Sequence, residues 1–217
     1  MEQSNLFNNL FASKATVNSP DDPIPNLQQK EGVSLLDNIN TSPIEVAKFI
    51  RNIKQSHFSQ CGIPGKFIKI ISTPISFSMS RLFNNRFESG HFPNLWKLAH
   101  VTPVYKRSGS KTDKTNYRPI SILPTLSQVC ESVMHDRILK HCIENNIISE
   151  KQAAYLKGDS TVSQLLYIVH KIRLNWEHKK ITQGLFLDVS AAFDKVWHNG
   201  LLAKLLQIGI GGHFLIP

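Results

Sequence analysis

The stretch Gly184–His198 reads GLFLDVSAAFDKVWH, and the fold turns on how it is read. Leu185, Phe186 and Leu187 form a short apolar run that ends on a carboxylate at Asp188. Ser190 then stands where a helix N-cap would, with Ala191, Ala192 and Phe193 after it. This predicts a buried strand that delivers an acid to its exposed C-terminal tip, then a tight turn into a helix. A carboxylate held at such a tip can take a hard divalent cation such as Mg²⁺, which binds oxygen and commonly uses one or two protein carboxylates plus substrate phosphates. Phe193 would project beside the same pocket. The alternative for Asp188 is a strand-end aspartate that only caps the following helix.

Working upstream, Thr161 to about Lys180 reads as a helix with Leu165, Leu166, Ile168, Val169, Ile172 and Trp176 turned inward. It starts at Ser160 or Thr161, after a loop at Lys157 to Asp159, and ends in His178, Lys179 and Lys180, cations that suit a helix C-terminus. Thr125 to Asn145 predicts a long amphipathic helix, with Leu126, Val129, Val133, Met134, Ile138, Leu139 and Ile143 on one face and Arg137, Lys140 and His141 outside it. The spacing of His135 and His141 does not suit a metal pair on one helical face. Before that helix, Leu98, Val101 and Val104 stand against Lys97, His100 and Lys106 as in a strand. Gly109 to Asn116 is a polar, basic hairpin tip, and Asn116 to Leu123 is a second strand.

Nearer the N-terminus, Ser42 and Pro43 predict a helix start, with Ile44, Ala47, Ile50, Ile53 and Lys54 keeping one face to about His57. Gly62, Pro64 and Gly65 break it. A second helix runs from about Lys66 to Ser89, interrupted near Pro74, with Phe67, Ile70, Ile71, Phe77, Leu82 and Phe83 as its buried stripe. Residues 1–40 read as an irregular, flexible arm broken by Pro20, Pro23 and Pro25. Asp21 and Asp22 lie between prolines in that arm, which makes them loop residues and not catalytic ones. Past Asp188, a last helix from about Gly200 to Ile208 stops at Gly209.

The net charge of +9 is unevenly spread. Residues 1–50 hold Lys14, Lys30 and Lys48 against Glu2, Asp21, Asp22, Glu31, Asp37 and Glu45, so the positive excess belongs to the part that carries the motifs. Such a balance favours a polyanion partner, since each neutralised phosphate releases counterions. Cys61, Cys130 and Cys142 are scattered with no Cys-x-x-Cys pair, which supports neither a disulfide framework nor a zinc site. There is no membrane span and no signal peptide pattern at the start, so an intracellular protein is expected, in nucleus or cytoplasm.

Together these segments resemble the reverse transcriptases of non-LTR (LINE-like) retrotransposons, of the jockey and related types. The opening phrase is close to that family's FLDVSKAFDxVWH, with Ala191 in place of a frequent Lys. FPNLWKLAHVTPVYKR and NYRPIS resemble its run from FPxxWKxAxVxPIxKK to NYRPIS. Gln152, Gly158, Ser160, Thr161, Gln164, Leu165 and Leu166 match its QxGFRxGxSTxxQLL, with Ala154 where Gly is common and Lys157 near a customary Arg. The segments come in the family's order from about Ile44 onward.

The resemblance implies an α+β fold, a truncated right-hand polymerase with mostly helical fingers, a short antiparallel hairpin and the first palm strand. Residues 41–96 would be a helical region preceding the fingers, and 97–217 a partial reverse transcriptase domain. It implies Asp188 as the first metal-binding carboxylate and Phe193 as the aromatic against the sugar of the incoming nucleotide. Lys106 or Arg107, together with Arg118, would face the triphosphate, where a planar guanidinium suits bidentate bonding to phosphate oxygens. Lys157, Gly158 and Ser160 would lie against the template, although a glycine helix end followed by a Ser-Thr cap explains the same letters. RNA template, DNA primer, dNTP and Mg²⁺ are the implied partners and cofactor.

Nucleotidyl transfer of this kind uses two metals held by more than one carboxylate. In the family the others come from a later Asp-Asp hairpin, and no such hairpin follows Asp188 in this sequence. The expectation is therefore a chain that does not polymerise DNA alone, with a non-catalytic nucleic-acid-binding or structural remnant of a mobile element as the alternative. A phosphatase of the haloacid dehalogenase type would need a second acid two residues after the first, where Ser190 stands.

Overall fold

The computed structural model describes residues 2–15, 23–53 and 63–215. Asp21, Asp22, Lys54, His57, Cys61 and Gly62 lie outside the described residues, and with them the readings that concern them.

The first element is a helix, α1 (Glu2–Lys14), where an irregular arm was expected. Its Phe7 ring meets Tyr117 edge-on at 5.0 Å, and Phe7 and Phe11 stack at 5.7 Å. Aromatic contact with a distant segment, which local propensity does not register, gives this helix its support.

Helix α2 (Pro43–Asn52) begins as its sequence dictates. Ser42 Oγ accepts from the Glu45 amide at 3.3 Å and the Glu45 carboxylate accepts from the Ser42 amide at 3.0 Å, a reciprocal cap with Pro43 in the first turn. Val46, Ala47 and Ile50 are buried, whereas Ile44 is 83% exposed, contrary to expectation.

A short helix α3 (Gly65–Ile70) leads into α4 (Ser72–Ser89), which packs along α2. The expected break falls at Ile71, near Pro74. The buried stripe of α4 is Ser72, Ser76, Ser80, Phe83 and Phe87; Phe67, Ile70 and Phe77 face outward instead. Two of these serines return their hydroxyls to their own helix, Ser76 Oγ to Thr73 O at 2.7 Å and Ser80 Oγ to Phe77 O at 3.0 Å. Small, internally bonded side chains let two helix backbones approach closely, which a search for the most apolar stripe misses.

Thr41 and Asn84 exchange two hydrogen bonds, amide to Oδ1 at 2.9 Å and Nδ2 to carbonyl at 3.0 Å, fixing the entry to α2 against α4. The one-turn helix α5 (Asn94–Lys97) places Trp96 edge-on to Phe83 and Phe92.

Strands β1 (His100–Tyr105) and β2 (Tyr117–Ile122) form an antiparallel hairpin, as expected, with Val104 opposite Arg118 and Tyr105 opposite Tyr117. Helix α6 (Thr125–Glu144) follows and buries Val129, Cys130 and Val133 against Ile39, Val46, Ile50, Phe83 and Phe87. Its Arg137 reaches Glu45 Oε1 at 2.7 Å. His141, expected outside the apolar face, is buried, and its Nε2 meets the carbonyl of Ile208 at 2.8 Å.

Helix α7 (Thr161–Glu177) starts at the Ser160 cap, where Oγ accepts from the Ser163 amide at 3.1 Å. Its expected inward stripe is corrected: Leu165, Leu166, Ile168, Val169, Ile172 and Trp176 are all exposed. Only Gln164, Leu174 and Asn175 are half-buried. The expected strand ending at Asp188 is likewise corrected. Residues 181–189 have no strand pairing, and Leu185, Phe186 and Leu187 are 83–88% exposed. A strand exists only through a neighbour's backbone hydrogen bonds, and among the described residues the one sheet is β1 with β2.

The expected helix after Ser190 is a turn over 190–195, closed by Lys195 N to Ala191 O at 3.1 Å, with Ala191 at φ +52. Helix α8 (His198–Gln207) matches expectation. The chain then returns to residues 33–39: Leu36 and Ile210 form a parallel bridge, and Ile210 is fully buried. Gly212, at φ +90, lies where a Cβ would run into the carbonyl of Asp37. Glycine alone allows that approach and that backbone angle.

Candidate functional site

The hairpin tip is built to hold charge in place. The Asp113 carboxylate accepts from the Thr115 amide and hydroxyl, both at 2.8 Å. Those bonds hold its pKa below the usual aspartate value, so it remains an ionised clasp. Asn116 Nδ2 donates to Ser110 O at 2.9 Å and Tyr117 Oη to Lys111 O at 2.9 Å, while Lys106 N continues the ladder to Asn116 O. Around this frame stand Lys106, Arg107, Lys111 and Lys114, with Asp113 the acid among them.

Side chains alternate across a strand, so Arg118 shares a face with Val104 and Ile120, while Tyr105 and Tyr117 share the other. Phe7 of α1 lies against Tyr117, and Gln3, Ser4, Phe7, Asn8 and Phe11 border Val101 and Pro103 on that second face. Helix α1 thus covers one side of the hairpin and leaves Arg118 on the open side. Arg118 is exposed and takes part in no ion pair among the described residues. Lys106 is less free, since its Nζ donates to Thr115 O at 2.8 Å. An unpaired guanidinium on a rigid ribbon beside a cationic tip can bind a phosphate-bearing anion.

Lys157, Gly158 and Ser160 lie in the exposed loop before α7. Gly158 sits at φ +94 with open space around it, and Ser160 is occupied as the helix cap. The loop meets the 190–195 turn through Tyr155 and Phe193, whose rings stand edge to face at 6.3 Å. The structure therefore brings the two loops with candidate template and nucleotide residues together. It does not join Asp188 or Phe193 to Arg118 by any hydrogen bond, ion pair or ring contact among the described residues.

Asp188 is exposed. Among the described residues no three His, Cys, Asp or Glu side chains are grouped to hold a metal ion. Asp188 offers one oxygen-ligand group, and Asp194 of the adjoining turn is the next carboxylate along the chain. Sequence reading missed Tyr155, whose ring links the loops; its place between Gln152 and Gly158 was the available signal. It also passed over Lys111 and Lys114, whose position at the tip between two predicted strands marked them.

Among the described residues no helix is long and apolar enough to cross a membrane. Cys130 and Cys142 are buried free thiols.

Residues 106–216 match the family described as reverse transcriptase (RNA-dependent DNA polymerase). The chain is 33% identical over 76% of its length to a probable RNA-directed DNA polymerase from transposon X-element of Drosophila melanogaster, covering 18% of that protein. It is 34% identical over 60% of its length to the RNA-directed DNA polymerase from mobile element jockey of the same organism, covering 14% of it. Against the probable polymerase from transposon BS, also of Drosophila melanogaster, the figures are 25% identity over 95% of this chain and 24% of the relative. The chain thus spans between about a seventh and a quarter of the length of these relatives.

Proposed function

We propose, from the premise that this chain belongs to the reverse transcriptase (RNA-dependent DNA polymerase) family of non-LTR retrotransposons, that it is the fingers and first palm segment of a right-hand polymerase. The observation that carries the reading is Arg118. It lies within the matched region, on the uncovered face of a braced hairpin whose tip is cationic, and it forms no ion pair among the described residues. In this role Arg118, with Lys106 or Arg107 beside it, holds the triphosphate of an incoming dNTP. Lys157, Gly158 and Ser160 border the RNA template paired to the DNA primer, and Phe193 packs on the nucleotide sugar. Asp188 supplies one carboxylate toward Mg²⁺, which when bound in this family's chemistry polarises the phosphoryl oxygens.

One carboxylate does not clamp two metals, so the chain by itself binds nucleotide and nucleic acid without extending a primer. A primer-extension assay with Mg²⁺ on the purified chain tests this: no product is expected, and robust extension overturns it. Nucleotide binding is tested by titrating a fluorescent dNTP into the parent chain and the Arg118→Gln variant. Equal affinities would remove Arg118 from the reading.

A second reading, a nucleic-acid-binding remnant without catalysis, is favoured by the same lone carboxylate. It predicts RNA binding that weakens steeply with salt while dNTP does not bind.

A further inference from the structure

We propose that the C-terminal end of α7 is a platform for single-stranded nucleic acid, with Trp176 as the surface on which a base stacks and Arg173, Lys179 and Lys180 as phosphate contacts. The proposal rests on the reading that this chain works on nucleic acid, and adds a contact outside the hairpin and the 157–160 loop.

The three tryptophans are treated differently by the fold. Trp96 is half-buried between Phe83 and Phe92, and Trp197 is half-buried over Gly200. Trp176 is 79% exposed. A ring of that size left in water is an unusual surface residue, and its neighbours are cations. Arg173 precedes it by one helical turn. After α7 the chain reverses tightly, with Lys179 N donating to Trp176 O at 2.9 Å and Lys180 N to Asn175 O at 2.7 Å. Lys179 takes φ +57, the left-handed position where glycine is the usual helix terminator.

This turn folds Lys179 and Lys180 back beside the helix. With Arg173, Trp176 and Glu177 they line an open recess of about 840 Å³. Glu177 is the acid in the recess, and none of the three cations forms an ion pair among the described residues. The negative end of the helix accounts for lysines at the turn. It does not account for the exposed ring or for Arg173 beside it.

Charge complementarity selects a polyanion as occupant, and the flat ring selects one with bases free to stack. Stacking is tolerant of sequence because every base presents a π-face, and cationic side chains track the backbone beside it. A duplex hides its bases, so a single strand fits this recess. Either the RNA or the DNA strand of a template-primer carries that chemistry.

The test uses the full chain with fluorescein-labelled oligouridylate and oligothymidylate, read by anisotropy across a range of salt. Trp176→Ala should weaken binding about 5- to 150-fold with little change in salt slope, and Trp176→Phe should keep most of the affinity. Lys179→Ser with Lys180→Ser should weaken binding and lower the salt slope by about 1.4. If these variants bind the oligomers with the parent's affinity and slope, the platform is refuted, while the hairpin reading is decided separately by the dNTP titration of the parent and Arg118→Gln. If the parent binds neither oligomer, the platform falls together with the premise that this chain binds single-stranded nucleic acid. Far-UV circular dichroism should show the same melting for every variant, since the substituted side chains are exposed.

Discussion

The ring of Tyr155 stands edge-on to that of Phe193, 6.3 Å between centroids and 86° between planes, and so fastens the loop before α7 to the turn after Asp188. Both rings are largely exposed, 81% and 77%, so the contact organises two loops more than it stabilises the fold. Tyr155→Leu should therefore leave global stability within about 0.5 kcal/mol. The same change should remove the ring-current shift of the Phe193 protons in an NMR spectrum. Unmoved Phe193 resonances would mean the loops do not meet in solution.

Glu45 joins the cap of α2 to Arg137 of α6, and the Arg137 hydrogen bond is the main reason its pKa lies below the usual glutamate value. A group depressed on folding contributes stability above its unfolded pKa and loses it as pH falls through the folded one. The carboxylate side chain is 38% exposed, so the pair is partly screened and worth about 0.5–1 kcal/mol. Glu45→Gln should lower the urea midpoint at pH 7 and match the parent in strong acid. A difference that persists once Glu45 is protonated would assign the effect to packing.

His141 Nε2 and the Ile208 carbonyl pair at 2.8 Å across the body, the imidazole buried and Ile208 half-buried. His141→Leu removes the donor and leaves the Ile208 carbonyl without it, a loss of about 1 kcal/mol or more. Urea denaturation followed by tryptophan fluorescence should show it. An unchanged midpoint would show that the carbonyl finds another donor.

The Cys130 thiol is pushed up to about 12, mainly by burial and secondarily by the charge of Glu131. Only a thiolate attacks disulfide reagents quickly, so Cys130 should stay unlabelled by dithiobisnitrobenzoate in native buffer and react once urea opens the core. The measurement belongs in a Cys61→Ser background. Rapid native labelling traced to Cys130 by peptide mapping would contradict the packing of α6.

Arg118→Lys keeps the charge on the open face of the hairpin but loses the planar fork. dNTP affinity should fall about tenfold, with the melting temperature unchanged. Full retention in a fluorescence titration would show that a point charge suffices there.

Most of what the sequence determined about this protein was local. The Ser42 cap, the Ser160 cap, the two strands around a polar tip, and the spans of α6 and α8 all stand where the letters put them. Each depends on residues within a few positions of one another, so the chain itself carries the information. The order of those segments was also enough to point to the family.

Only the tertiary structure decided which faces are covered. Ser76 and Ser80 went inside while Phe77 and Ile44 stayed out, His141 was buried, and α1 formed against Tyr117. Leu185 to Leu187 and the stripe of α7 remained exposed, because an apolar run records a tendency to leave water and not the partner that would cover it. Burial belongs to pairs of surfaces, and a strand to pairs of backbones, so neither can be read from one segment alone.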